Sequence, residues 1–154
     1  MDSDPTLARL RRALFVILAG GYAGIGAELL LTGHYEDLLQ LIPLAITAAA
    51  LLALGWYAAG GGSASLRTLR AVMTASLVSG AVGALLHYRG NTEFELERTP
   101  GLAGFALFRE AVTGATPALA PGTMVLLGVI GLAATWRHPL LGGQADGRAG
   151  GPTH

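Results

Sequence analysis

The chain reads as an all-α integral membrane protein, a four-transmembrane-helix bundle with a short interfacial helix in the loop between helices 3 and 4. Three observations carry that reading. At 154 residues, 52% hydrophobic and 13% charged, with a mean hydropathy of +0.52, the chain is more apolar than an ordinary soluble domain. Four apolar stretches, residues 13–31, 38–57, 71–88 and 118–136, each approach the roughly 20 residues a helix needs to cross the hydrocarbon core. The charges fall almost entirely between those stretches.

Arg9, Arg11 and Arg12 lead into the first stretch. A cleaved signal peptide competes there, but the apolar run exceeds the usual core of about 7–15 residues and no good Ala-x-Ala site follows. An uncleaved first helix is expected. Asp37 and Gln40 have the spacing of a capping pair opening the second helix, and Pro43 one turn further is expected to kink it. Gly60-Gly61-Gly62-Ser63 ends that helix in a short turn.

The connection after the third stretch is the longest. Glu93, Glu95 and Glu97 alternate with Phe94 and Leu96, a period-two pattern that predicts a short extended segment with one acidic face. Thr99 and Pro100 then open a helix over about 100–113, with Leu102, Phe105, Phe108 and Val112 on one face. That helix is too short to cross, so it is expected to lie at the interface or to be re-entrant. Thr116-Pro117 and Pro121-Gly122 mark the entry to the fourth helix. Residues 1–138 thus form one transmembrane domain, and the glycine-rich residues 139–154 are expected to be a disordered cytoplasmic tail.

Arginine placement orients the bundle. Arg9, Arg11, Arg12, Arg67, Arg70, Arg137 and Arg148 fall on one side with Asp2, Asp4 and Asp146. Arg89, Arg98 and Arg109 fall on the other with Glu28, Glu36, Asp37, Glu93, Glu95, Glu97 and Glu110. Basic residues in short loops favour the cytoplasm, so both termini are expected there, with acidic loops 32–37 and 89–117 outside a cell membrane. Trp56, Tyr57 and Trp136 at the inner boundary, and Tyr35 and Tyr88 at the outer one, match an aromatic belt.

Helices in lipid associate where small residues let backbones approach. Gly20, Gly24 and Glu28 share one face of the first helix, with Gly21 close by. Ser76, Gly80, Gly83 and His87 form a stripe on the third, and the second is alanine-rich. Contact between the two stripes would bring Glu28 near His87. A carboxylate inside the membrane boundary is costly unless paired, hydrated or protonated. Three readings of Glu28 are therefore open: a structural pair with His87 or Arg89, a metal or cofactor ligand, and a group lining an ion path. Tyr22 is expected to hydrogen-bond a neighbouring backbone.

His34 and His87 are the residues a cofactor would use, since two imidazoles from different helices can ligate haem or a pigment magnesium. With Glu28, Glu36, Asp37 and Glu93 they would supply a nitrogen and oxygen donor set for a divalent metal. No tight ligand motif accompanies them, and an interfacial hydrogen-bonding role for each histidine stands beside the metal reading. No cofactor is required by the sequence.

The absence of cysteine excludes disulfides, thiolate sites and c-type haem attachment. No phosphate-binding glycine loop or catalytic triad order appears, and no basic, aromatic-interleaved surface suggests nucleic acid. The expectation is a non-enzymatic accessory or structural subunit of a membrane complex, or a homo-oligomer, whose partners are the bilayer and another protein or its own copies. A haem-, pigment- or metal-binding membrane protein is the first alternative, and a cation channel or transporter the second.

Overall fold

The computed structural model describes residues 4–114, 116 and 120–142. These form six helices: α1 Pro5–Leu31, α2 Leu38–Ala58, α3 Gly62–Arg98, α4 Gly104–Val112, α5 Gly122–Ala134 and the single turn α6 Pro139–Gly142. No strand occurs among the described residues. Three helices, α1, α2 and α3, are long and apolar enough to cross a membrane, and α5 is a shorter apolar helix of 13 residues. Residues 118 and 119, placed at the start of the fourth helix by hydropathy, lie outside the described residues, as does the tail from 143 onward.

Local chemistry sets the boundaries. Asp4 caps α1 by accepting from the Thr6 N–H at 2.9 Å, with Pro5 at the first helical position. Helix formation therefore begins eight residues before the apolar stretch, which marks lipid contact and not backbone hydrogen bonding. Asp37 caps α2, its Oδ1 accepting from the Leu39 and Gln40 N–H groups at 2.8 and 3.0 Å. Gln40 Oε1 accepts from the Glu36 N–H at 2.9 Å, one residue earlier than an ideal capping box. The turn from α2 to α3 uses left-handed backbone at Gly60 and Gly62, φ 89° and 62°, where a side chain would be strained.

α3 corrects the extended-segment expectation. It runs unbroken for 37 residues, about 55 Å at 1.5 Å per residue, against a hydrocarbon core of about 30 Å. Glu93, Glu95 and Glu97 are helical. No proline interrupts the chain between His87 and Thr99, the single Gly90 is tolerated, and Asn91 and Glu95, four residues apart, are both buried. That helical spacing outweighs the period-two alternation of acids. Thr99 ends α3 and does not open α4, which begins only after the Pro100-Gly101 turn.

α3 is the central element, packing against α2, α5, α4 and α6. Its contact with α5 is a close backbone approach. A β-carbon added at Gly80 would lie 2.7 Å from the Pro121 carbonyl oxygen, and one at Gly128 would lie 2.7 Å from the Met73 carbonyl oxygen. The stripe of Ser76, Gly80 and Gly83 is thus a packing surface for α5.

α1 packs on α2 and α5 instead of α3. Its inward line is Arg11, Leu18 and Tyr22, with Phe15 and Ile25 against the core. Gly21 and Gly26 are the glycines of α1 that meet neighbours, a β-carbon at Gly21 lying 2.8 Å from a Leu127 methyl and one at Gly26 lying 3.3 Å from the Thr47 methyl. Tyr22 ties α1 to α3, its hydroxyl donating to Ser76 Oγ at 2.8 Å, while Ser76 Oγ donates to the Met124 carbonyl at 3.1 Å. Tyr22 therefore bonds a side chain and not the expected backbone, and the relay fastens three helices.

Candidate functional site

His34 and His87 are brought together. α1 ends in a reversed turn in which Gly33 takes a left-handed φ of 68°, the Gly33 N–H bonds the Leu30 carbonyl at 3.3 Å and the His34 N–H bonds the Leu29 carbonyl at 2.8 Å. This glycine-based helix stop turns the next residue, His34, back toward α3. His87 sits one turn beyond Gly83 on the stripe of α3. The two imidazole centroids lie 6.4 Å apart, with ring planes inclined by 60°. Both rings are half-buried.

The remaining predicted ligands do not join them. Glu28 is exposed, and among the described residues its carboxylate has no hydrogen-bond or ion-pair partner. The expected pairing with His87 or Arg89 does not form, because α1 turns Gly21 inward and leaves Gly20, Gly24 and Glu28 on another face. No atom lies within 4 Å of a β-carbon built at Gly20 or Gly24. Asp37 Oδ1 is engaged in capping, and Glu36 and Glu93 are exposed. Among the described residues no group of three or more histidines and carboxylates is arranged to hold a metal ion.

Beyond His87, α4 folds back along the extension of α3. The organiser is Asn91, which the sequence reading passed over. Its amide donates to the Ala111 and Thr116 carbonyls at 2.8 and 2.6 Å, and its oxygen accepts from the Thr116 N–H at 3.2 Å. A neutral amide in a polar loop carries little signal; the clue was its place four residues after His87 on the same stripe. The expected apolar face of α4 divides: Ala111 is fully buried, whereas Phe105 and Phe108 are exposed, with Phe108 6.1 Å from the Tyr88 ring. Buried Glu95 is held by Arg98 at 2.7 Å.

The opposite end of the bundle holds a second polar cluster that hydropathy alone did not single out. Arg11 Nη2 donates to the Trp136 and Arg137 carbonyls at 3.0 and 3.2 Å, and Arg70 Nη1 donates to the Thr135 carbonyl at 3.3 Å. Two guanidinium groups thereby satisfy the carbonyls after α5, where cations are favoured. Tyr57 Oη lies 3.1 Å from His138 Nε2, and the Tyr57 ring lies 4.8 Å from the Phe15 ring, tilted by 48°. Burial, and then the Arg11 charge, hold the His138 imidazole below its ordinary value of 6.5. These arginines looked like topology markers, but Arg11 and Arg70 also carry structure.

No protein-family model, curated protein or solved structure matches this chain.

Proposed function

We propose that the chain is a non-enzymatic accessory subunit of a membrane complex, crossing four times with α5 as the fourth pass and α4 at the outer interface. In this reading both termini are cytoplasmic and the His34–His87 end faces outward, as the arginine bias requires. The observation that supports it is the outward face of α1. Gly20 and Gly24 adjoin open space, and Glu28 is exposed on an apolar helix. In lipid, a small-residue face admits close helix approach, and an unpaired carboxylate is costly. A helix from a partner protein that carries a cation or hydrogen-bond donor at the level of Glu28 answers both. A second copy in the same orientation would set carboxylate against carboxylate, so a different protein is the better fit.

A photoreactive residue at Gly20, introduced into the chain in its native cells, tests this. The expected product is one cross-linked species with a partner of distinct mass, lost in Glu28→Leu and absent when the probe is placed at inward-facing Gly21. Cross-links to lipid alone would overturn the reading. A product of twice the chain's mass would replace the accessory subunit with a homo-oligomer.

The proximity of His34 and His87 favours a second reading, a cofactor or metal held at the other face. Imidazole nitrogens bind zinc at about 2.0–2.1 Å, and a ring separation of 6.4 Å leaves room for one ion between them. Cobalt(II) absorption of the purified chain, compared with His87→Ala, distinguishes it. Identical spectra would remove this reading.

A further inference from the structure

A groove of about 790 Å³ opens between α1 and α2 at the Arg11 end of the bundle. Its rim and floor differ in chemistry. Arg11, Arg12, Tyr57 and His138 stand at the rim, and Phe15, Val16, Ala19, Leu51 and Leu54 line the rest. Ala19 lies eight residues beyond Arg11 on α1 and Leu51 six before Tyr57 on α2, so the apolar lining extends about 10 Å along both helices from the polar rim. No carboxylate contributes among the described lining residues. Within the usual span of ligand pockets, about 300–1,000 Å³, this is an amphipathic slot running along the two helices.

Arg11 supplies a second observation. It is only 9% exposed, and both of its hydrogen bonds leave from Nη2. Its Nε and Nη1 donors have no acceptor among the described residues. Those donors are not sealed from solvent, so an anion entering the groove can reach them. Arg12 is adjacent and exposed. Gly55 lines the groove with no atom within 4 Å of where its β-carbon would stand. The slot therefore offers two cations and a phenol hydroxyl to a head group, and an unfilled apolar channel to a chain.

We propose that this groove binds one anionic phospholipid, its phosphate at Arg11 and Arg12 and an acyl chain along Phe15, Val16 and Leu54. The inference rests on the chain residing in a bilayer, and is independent of what covers the α1 glycine face, which lies on residues nearer the other end of α1. The anionic head group is recognised by fork-shaped donors, and basic pockets between membrane helices suit such lipids.

Native mass spectrometry of the full chain, released from detergent after incubation with dioleoyl-phosphatidylglycerol, dioleoyl-phosphatidylcholine or inorganic phosphate, tests this. One phosphatidylglycerol is expected to be retained at a concentration about tenfold lower than phosphatidylcholine requires. Arg12→Gln, which disturbs no described contact, should reduce that preference several-fold. Gly55→Leu, which fills open space in the groove, should weaken retention of both lipids. Equal retention of the two lipids by the unaltered chain would overturn the proposal, as would undiminished retention in Gly55→Leu. Displacement of phosphatidylglycerol by inorganic phosphate at similar concentration would also overturn it, assigning the arginines to a free anion.

Discussion

Two substitutions of identical chemistry, Gly80→Ala and Gly24→Ala, should have opposite consequences in the isolated protein. At Gly80 the added β-carbon falls 2.7 Å from the Pro121 carbonyl oxygen and 2.8 Å from the Val125 backbone nitrogen. The first distance is 0.7 Å short of the 3.4 Å at which ordinary contact begins. Both opposing atoms are backbone, so no rotamer change relieves the clash, and the first turn of α5 must move. That movement also stretches the 3.1 Å bond from Ser76 Oγ to the Met124 carbonyl. Overpacking of this kind costs about 1–3 kcal/mol. At Gly24 nothing lies within 4 Å, and alanine is the better helix former by up to about 1 kcal/mol. The expected change there is within about 0.5 kcal/mol of zero or stabilising. Equilibrium unfolding in mixed micelles with increasing dodecyl sulfate, followed by circular dichroism, measures both. If Gly24→Ala costs as much as Gly80→Ala, the packing of α1 described above is wrong. If Gly80→Ala is neutral, the α3–α5 interface is wrong.

Two further outcomes follow from the polar clusters at the ends. Asn91→Asp keeps the acceptor for the Thr116 N–H but sets a carboxylate oxygen against the Ala111 and Thr116 carbonyls; it should destabilise the α4 segment by about 1–3 kcal/mol, seen as faster amide exchange over 104–114 with α1 and α2 unchanged. The His138 imidazole, followed by NMR, should titrate below 6.5, and Arg11→Gln should raise its midpoint by removing a like charge. Because its folded value is depressed, the stabilisation His138 contributes is present above about pH 6.5 and is lost as pH falls through the folded value.

Hydropathy made the apolar helices legible, and glycine spacing on α3 marked a real packing stripe. What spacing cannot supply is the partner. Small residues show where close approach is permitted; the larger side chains decide where it happens. On α1 the burial of Leu18 and Tyr22, together with the need to satisfy the Tyr22 hydroxyl, turns Gly21 inward and leaves Gly20, Gly24 and Glu28 out. His34 and His87 were legible as a pair because both end their stripes or helices at one level. The predicted carboxylates were not: Glu28 depended on α1 facing α3, Asp37 is engaged in capping α2, and Glu36 and Glu93 are exposed. Asn91 and the Arg11–Tyr57–His138 cluster escaped because their partners are backbone carbonyls or residues distant in sequence, and neither leaves a local pattern.

The unbroken length of α3 makes it the register of the whole molecule. Leu66, Leu69, Met73, Ser76 and Gly80, and then Asn91 and Glu95, are buried along one line, the lower part against α5 and the upper part against α4. A single inserted residue between Gly83 and Asn91 would rotate everything above it by about 100°, carrying Asn91 away from the loop it anchors. The same insertion in the turn at 99–103 would be absorbed there. Changes of length in α3 should therefore be accommodated only in steps that return the line to phase, about seven residues at a time, while the turn at 99–103 is free to vary.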